Sequence, residues 1–293
     1  MKRIHLTAKD VAFVAATAAL VIGVATIGWA LIGMPAIGIA LGLAVVSVLF
    51  SSLEVFRRTQ ETNRWLREQV KRDYKQIESL LSLYFSLKPD APLPDTGGWA
   101  LSPDLLQRIL EVIHREKPRL VLEASSGVST LITAYCLKRF GGGRVISLEH
   151  DAEYAATNRD MVARHGLQDL VTIVHAPLKE IAIGDDKWLW YDLDDLNLEA
   201  PIDLLLIDGP PAAIQPLARY PALPLLFDRL RDGATIILDD GARLDERQIA
   251  ERWAGEFDVD CHYIPLEKGA FVFRKRASRE AHNSVTPGTP FKR

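Results

Sequence analysis

The sequence predicts an α/β protein with a doubly wound, mostly parallel seven-stranded sheet that ends in an antiparallel hairpin. Three observations lead to this fold class. Beyond residue 102, strand-length apolar runs alternate with helical patterns, which predicts parallel strands joined by helices. Runs such as "IDLLLID" and "ATIILDD" are nearly continuously apolar, as strands covered on both faces require. The last two runs are joined by "PLEKG", which is too short for a helical crossover and therefore favours a hairpin.

An apolar segment precedes this domain and predicts a transmembrane helical hairpin. No charged residue occurs from Val11 to Leu53, whereas a single helical crossing needs only ~20 residues. Pro35 lies near the middle of the segment, in "IGMPAIG", and disfavours one continuous helix. We therefore expect two spans, about Val11–Ile32 and Ala36–Leu53. A signal peptide is the alternative, but the run is too long and no small-residue cleavage site follows it.

Basic residues flank both ends of the apolar segment, so the chain is expected in a membrane with its α/β domain on the cytoplasmic side. These residues are Lys2, Arg3, Lys9, Arg57, Arg58, Arg64, Arg67, Lys71 and Arg72. The net charge of −3 predicts no nucleic-acid partner. Cys136 and Cys261 have no metal-ligand spacing, and in a reducing compartment they are expected to be core thiols.

Residues 54–87 contain neither glycine nor proline and predict one long amphipathic helix. Its apolar stripe can pair with a second copy of the chain or pack on the following domain, and both options stay open. The stripe consists of Leu66, Val70, Tyr74, Ile77, Leu81 and Tyr84. The expected organisation is a hairpin at 1–53, a helix and Pro-rich linker at 54–102, an α/β domain at 103–275 and a disordered tail at 276–293.

Within the α/β domain, the helices and strands are predicted from apolar periodicity and turn residues. Helices are expected at 103–116, 128–140, 151–165, near 222–232 and at 244–256. Strands are expected at 119–123, 144–149, 170–175, 202–207, 234–239, 258–265 and 269–275.

Acidic and histidine side chains recur where the predicted parallel strands end. They are Glu123, Glu149–His150, His175, Asp208 and Asp239–Asp240. Each acid alone is consistent with a helix cap or a turn residue. Their repetition at one edge favours a ligand site, because ligands bind beyond the carboxyl ends of strands in such sheets.

The loop in "LVLEASSGVST", residues 120–130, indicates the kind of ligand. A dinucleotide cradle needs G-x-G-x-x-G, but this loop has only Gly127, and Glu123 would repel a diphosphate. The same carboxylate would attract an ammonium group, which points to S-adenosylmethionine. A NAD site also uses an acid near Glu149 and stays a less favoured alternative.

On these residues, 119–275 resembles the class I S-adenosylmethionine-dependent methyltransferases, particularly the branch with an E-x-G-S-G-x-S-T first motif. The resemblance implies a Rossmann-like fold and cofactor contacts from the first loop, the second-strand acid, the third-strand loop and the fourth-strand "IDGPP". The corresponding residues are Glu123, Ser125, Ser126, Gly127, Ser129, Thr130, Glu149, His150, His175, Ala176 and Asp208. Ser125 and Ser129 stand where the commonest motif has glycine.

Three carboxylates are expected close together after adjacent strands: Asp208, Asp239 and Asp240. The arrangement resembles the magnesium site of catechol-type O-methyltransferases, with Asp240 in place of asparagine, and an all-oxygen set would suit Mg²⁺, Mn²⁺ or Ca²⁺. Alternatively, Asp240 caps a helix or pairs with Arg243. Without a metal, Asp208 or Asp239 could act as general base.

The sequence thus predicts a membrane-anchored methyltransferase that acts on oxygen of a small-molecule or lipid-linked acceptor. Candidate walls of the acceptor pocket are Trp188, Trp190, Tyr191 and Tyr220, with Arg219 able to meet an anionic acceptor or to be an ordinary surface arginine. Two other functions stay open: a catalytically silent membrane-anchored scaffold that assembles through 54–87, and a NAD-binding oxidoreductase.

Overall fold

The computed structural model of the 293-residue chain describes residues 8–32, 34–96, 100–194 and 196–277. The chain divides into two compact units, Met1–Lys71 and Arg72–Arg293. Lys2, Arg3, Gly33 and most of the expected disordered tail lie outside the described residues. Of that tail, Arg276 is described, and its guanidinium forms ion pairs with Asp258 and Asp260.

The first unit contains helix α1, Ala8–Ile32, and the beginning of helix α2, Met34–Leu87. Pro35 is the second residue of α2, where its missing N–H costs no hydrogen bond. Among the described residues one helix is long and apolar enough to cross a membrane, with the qualifying segment at Ile37–Leu87, and Ala18–Leu31 of α1 is a shorter apolar helix. Length and composition alone make this weak support for a membrane span.

The second unit contains the C-terminal part of α2 and the α/β domain. Its helices are α3 (Pro103–Glu116), α4 (Val128–Cys136), α5 (Ala152–Arg164), α6 (Ala222–Leu226) and α7 (Leu244–Glu256). Its strands are β1 (Leu120–Ala124), β2 (Arg144–Glu149), β3 (Val171–His175), β4 (Leu178–Ile183), β5 (Asp186–Tyr191), β6 (Ile202–Ile207), β7 (Leu230–Leu238), β8 (Val259–Ile264) and β9 (Ala270–Lys275). A π-helical turn, Leu137–Gly141, continues α4.

The predicted seven-stranded sheet is confirmed. Its strand order is β3-β2-β1-β6-β7-β9-β8, with the first five strands parallel and the β8–β9 hairpin antiparallel at one edge. The chain runs outward from β1 through β2 to β3 and then returns to β6 on the other side of β1. This reversal creates a crevice above the carboxyl ends of β1 and β6, where ligands bind in doubly wound folds.

Two predicted details differ from the structure. The segment around "KWLWYDLDDL", where no strand was predicted, includes half of an antiparallel two-stranded sheet, β4–β5, which is separate from the main sheet. The prediction of a helix near 222–232 is wrong in its second half, because α6 ends at Leu226 and β7 already begins at Leu230.

Within the second unit, the C-terminal part of α2 packs on the α/β domain by one face only. Ser79 donates to Gln107, Gln76 accepts from the Asp104 N–H, and Leu83 and Leu87 join the hydrophobic core. The opposite face carries part of the predicted apolar stripe. Those side chains are exposed: Tyr74, Ile77, Leu81 and Tyr84.

Candidate active site

The carboxyl ends of the parallel strands are held in register by backbone hydrogen bonds just beyond the strands. The N–H of Ser125 donates to Leu148, that of Asp208 to Ala124, and that of Asp239 to Ile207. Each bond places the first loop residue against its neighbouring strand. The loops that carry the predicted site residues therefore start from one edge of the sheet.

Glu123 lies beneath the loop after β1 and is buried, with 1% of its surface exposed. Its carboxylate accepts hydrogen bonds from Ser129 and, at 2.6 Å, from Thr130, both in the first turn of α4. The Ser147 hydroxyl on β2 approaches it at 3.4 Å. Glu123 therefore ties the start of α4 to β1 and β2, and its expected contact with a cofactor remains a prediction.

Burial raises the pKa of the Glu123 carboxyl to about 7, although the hydroxyls of Ser129, Thr130 and Ser147 oppose the shift. Because the folded pKa lies above the ordinary value of 4.5, the contribution of this group to stability is fully present below pH 4.5. That contribution is lost as the pH rises through about 7. The shift corresponds to a loss of about 3 kcal/mol in the free energy of unfolding.

We expect Glu123→Gln to remove this pH dependence, since the amide does not titrate. Thermal unfolding of the full-length protein, followed by tryptophan fluorescence from pH 5 to 8, should show the Tm of the variant gaining on that of the wild type as pH rises. The exposed Glu153→Gln serves as control and should run parallel to the wild type. Parallel curves for Glu123→Gln and the wild type would refute the assignment.

Ser125 and Gly127 differ in what their backbone requires. Ser125 has a φ of 114°, in the region that favours glycine, which agrees with its position in place of a motif glycine. Gly127 has a φ of 164°, which is extended backbone that any residue adopts. A Cβ added at Gly127 would meet no atom within 4 Å. The space beside Gly127 is therefore open, and the glycine is not needed for the conformation of the chain.

Glu149 at the end of β2 forms a second polar cluster beside the same loop. Its carboxylate accepts from the Ser126 hydroxyl at 2.8 Å and from the Asp151 N–H at 3.1 Å. The amide of Asn158 on α5 donates to Ser126 at 2.6 Å. His150 Nδ1 lies 3.0 Å from Glu149 Oε1, although the angle is not that of a hydrogen bond. These contacts fix the carboxylate at the edge of the sheet.

The end of β3 adjoins this cluster. Ala176 is buried and its N–H donates to the Glu149 carbonyl at 2.7 Å, while His175 is exposed at the last position of the strand. Hydrogen bonds from the N–H groups of Tyr154 and Glu153 lower the pKa of Asp151, and His150 and His175 lie close enough to lower it further. The two histidines predicted at the site therefore share one acidic neighbour.

The three carboxylates of Asp208, Asp239 and Asp240 do come together, with one oxygen of each within 4.8 Å of the others. A cation already lies among them, because the buried Arg219 guanidinium is 3.0 Å from Asp208 Oδ1 and 2.9 Å from Asp240 Oδ2. Arg219 is only 3% exposed, so it is neither a surface arginine nor free to meet an anionic acceptor. The expected pairing of Asp240 with Arg243 is present at 2.8 Å.

Asp239 differs from its two neighbours. Both of its carboxylate oxygens are buried and have no hydrogen-bond partner among the described residues. Burial, and next the charge of Asp240, raise the pKa of Asp239. Burial also raises the pKa of Asp208 well above its usual value, although Arg219 opposes that shift. Both carboxyls therefore take up a proton more readily than a free aspartate, and Asp239 is the one whose oxygens have no hydrogen-bond partner among the described residues.

Tyr191, at the end of β5, reaches the loop after β6. A Cβ added at Gly209 would lie 2.2 Å from the Tyr191 hydroxyl and 3.2 Å from Ser125 Cβ. Only glycine therefore allows these three residues to meet. Burial and the charges of Glu149 and Asp208 raise the pKa of Tyr191, which keeps the phenol protonated. By contrast, Trp188 and Trp190 are buried and join the hydrophobic core.

The sequence indicates the acids at the sheet edge but not three polar residues that lie around them, nor the buried position of Arg219. Ser147 was detectable, because it is a polar residue inside the apolar run "RVISLE". Asn158, Glu246 and the buried position of Arg219 carry no local signal, since their partners are distant in sequence. Glu246 is 1% exposed and lies 3.7 Å from the Arg219 guanidinium.

Comparison with known proteins agrees with this geometry. Residues 124–241 match a family model described as a methyltransferase domain. The chain carries a methyltransferase domain. The match includes the loop after β1, the ends of β2, β3 and β6, and the three aspartates.

The methyltransferase domain has the class I fold. A putative O-methyltransferase from Klebsiella pneumoniae matches with 20% identity and a TM-score of 0.50, over 71% of this chain and 97% of that one. An O-methyltransferase from Bacillus cereus, in complex with S-adenosylhomocysteine (SAH), matches with 21% identity and a TM-score of 0.48, over 70% and 92%. An SAH-bound methyltransferase from Podospora anserina matches with 14% identity and a TM-score of 0.49, over 68% and 88%. No curated protein significantly matches the sequence.

Proposed function

We propose that the protein is a membrane-anchored methyltransferase that transfers the methyl group of S-adenosylmethionine to an oxygen atom of its acceptor. The observation that carries this proposal is the open space beside Gly127, at the crevice between β1 and β6, next to the fixed Glu149 carboxylate. The methyltransferase family match supports the same reaction class.

The residues around the crevice suit S-adenosylmethionine better than a dinucleotide. Glu149 is 6% exposed and anchored by Ser126 and Asp151, so it can accept hydrogen bonds from the ribose hydroxyls without moving. His175 and Ala176 would border the adenine, and Ser125 to Thr130 would surround the methionine part. The loop after β1 has one glycine, Gly127, where a pyrophosphate cradle needs three, which makes the oxidoreductase the weaker proposal.

The methyl donor supplies an electrophilic carbon bonded to a positively charged sulfur. In the transfer, a lone pair of the acceptor oxygen forms the new bond to that carbon while the carbon–sulfur bond breaks and its electrons remain on sulfur. The acceptor hydroxyl must also lose its proton. We assign this proton to Asp239, whose oxygens have no other partner among the described residues and whose pKa is raised by burial.

The membrane anchor is proposed from α1 and the beginning of α2. Large apolar side chains are mostly exposed there, among them Leu20, Ile27, Leu41, Val48 and Phe56. Such a surface is expected to face lipid. A groove of about 850 Å³ is lined by residues of both helices, which supports a two-span hairpin. The basic residues that follow it favour a cytoplasmic methyltransferase domain. A membrane anchor would place that domain near a lipid-linked acceptor, and a small-molecule acceptor is equally compatible.

The exposed stripe of α2 favours a second, compatible role in assembly. Tyr74, Ile77, Leu81 and Tyr84 form a continuous apolar face on this helix. We propose that it pairs with a second copy of the chain. Chemical cross-linking of the full-length protein in vesicles should give dimers, and Ile77→Lys should abolish them. A silent scaffold would show dimers without any binding of SAH.

The reaction is tested with full-length protein in vesicles and S-adenosylmethionine that carries a labelled methyl group. Candidate acceptors are offered as water-soluble phenols and carboxylates and as a lipid extract. We expect label in an organic-soluble product, with base-labile label indicating a methyl ester and stable label a methyl ether. Glu149→Ala provides the background. Label on nitrogen or sulfur would refute the O-directed proposal.

A further inference from the structure

The charge arrangement around Asp208, Asp239 and Asp240 resembles a divalent metal site but contains its own cation. Arg219 Nη2 lies 3.0 Å from Asp208 Oδ1 and 2.9 Å from Asp240 Oδ2, so it is nearly equidistant from two of the three carboxylates. A metal ion would bind the same oxygens at about 2.0–2.6 Å. An ion that used these two oxygens would have to displace the guanidinium.

The guanidinium is also held by backbone oxygens at the ends of both strands. Arg219 Nη2 donates to the Asp208 carbonyl at 2.7 Å, and Nη1 donates to the Asp239 carbonyl at 3.1 Å. Glu246 on α7 supplies a fourth acid, 3.7 Å from Nη1. An arginine remains charged at any pH that a protein experiences. Arg219 therefore compensates the buried carboxylates permanently.

The segment that carries Arg219 is anchored to α7, which fixes the position of the guanidinium. Trp253 Nε1 donates to the Tyr220 carbonyl at 3.0 Å, and the Tyr220 hydroxyl donates to Glu256 at 2.6 Å. The Arg252 guanidinium lies 3.8 Å from the centre of the Tyr220 ring. The Leu217 N–H donates to Asp245 at 3.1 Å. Because this fixed guanidinium already contacts the carboxylate oxygens of Asp208 and Asp240, the residues present do not fit the expected Mg²⁺ or Mn²⁺.

We propose that Arg219 takes the place of the divalent metal ion in this methyltransferase and that the acid cluster binds no metal. Arg219 forms ion pairs with both Asp208 and Asp240. The Asp239 carboxylate is left without a hydrogen-bond partner among the described residues. Arg219 is a positioning residue, because it acts through the aspartates.

The consequence for the acceptor rests on the proposed function. A metal with open coordination positions can chelate two neighbouring acceptor oxygens. A guanidinium offers no such positions: Nη1 and Nη2 of Arg219 are already engaged by carboxylates and carbonyls, and Nε is buried without a partner among the described residues. The site should therefore accept a single hydroxyl or carboxylate as readily as a vicinal diol.

The test is Mn²⁺ titration of chelator-treated, full-length protein in detergent, by calorimetry and by the Tm of thermal unfolding. We expect no saturable Mn²⁺ binding by the wild type and no change in Tm with chelator or Mn²⁺. Arg219→Gln should lower the Tm by about 10 °C, because it strands buried carboxylates. It should also gain saturable Mn²⁺ binding that restores part of the lost Tm.

Arg243→Gln is the matched control, because Arg243 also contacts Asp240 but its side chain is 48% exposed. This control should bind no Mn²⁺ and should change the Tm little. Arg219→Lys, which keeps a positive charge, should fold without binding Mn²⁺ and is the variant to use if Arg219→Gln does not fold. Adding Asp240→Asn to Arg219→Gln should reduce the Mn²⁺ affinity again.

Saturable binding of Mn²⁺ to the chelator-treated wild type would overturn the proposal. A folded Arg219→Gln variant that neither loses stability nor gains Mn²⁺ binding would overturn it as well. SAH titration of the same samples separates this inference from the proposed function. Absence of SAH binding would refute the methyltransferase proposal without affecting the Mn²⁺ result.

Discussion

Asp239→Asn is expected to lower kcat for methyl transfer by about 10²–10⁴-fold, the usual contribution of a general base. The amide is nearly isosteric with the carboxylate but cannot accept the proton of the acceptor hydroxyl. Asp239 is the candidate because its two oxygens have no hydrogen-bond partner among the described residues. The measurement is the rate of SAH formation with the acceptor identified by the labelled-methyl assay, alongside SAH affinity, which should change little.

Asp208→Asn is the matched comparison, because Asp208 is the other candidate base but is engaged by Arg219. We expect this variant to show a lower Tm and a smaller loss of kcat than Asp239→Asn. If Asp239→Asn retained kcat within tenfold while Asp208→Asn lost most activity, the base would be Asp208.

Gly127→Val is expected to weaken the binding of SAH by about 10- to 100-fold while the protein stays folded. The extended backbone at Gly127 accepts a β-branched residue, and no atom lies within 4 Å of the added Cβ. The side chain would instead fill the space proposed for the cofactor, at a typical overpacking cost of about 1–3 kcal/mol. Affinity is measured by calorimetry and folding by the Tm.

Gly255→Val is the control for Gly127→Val. Gly255 is exposed on α7, and a Cβ there also meets nothing within 4 Å. This variant should bind SAH as the wild type does. A Gly127→Val protein with wild-type affinity would mean that the cofactor does not occupy the space beside Gly127.

The sheet could be predicted from sequence because its strands are nearly continuously apolar. The bounds of β2 and β6, at Arg144–Glu149 and Ile202–Ile207, match their predictions, as does α7 at Leu244–Glu256. The β4–β5 hairpin was missed, although Gly184 with a φ of 61° marks its turn. Its strands are only partly buried, so tertiary packing rather than apolar periodicity defines them.

The candidate site could be predicted only where residues lie at the carboxyl end of a strand or directly after it. Glu123, Glu149, Asp208 and Asp239 belong to this group, because register alone brings strand ends to one edge. Arg219 could not be placed in this way. Its position depends on contacts of its loop with α7, such as Trp253 with Tyr220, and these contacts join residues far apart in sequence. The sequence consequently indicates the carboxylates and predicts a metal ion among them. In the folded chain the guanidinium of Arg219 lies there instead.

Calorimetric titration of the full-length wild-type protein in detergent with SAH tests the central claim most directly, with NADH as the comparison ligand. The account predicts saturable binding of one SAH per chain, no binding of NADH, and an SAH affinity that does not change when chelator is added. A folded protein that gives no binding heat with SAH would contradict the assignment of the crevice between β1 and β6 as a methyl-donor site.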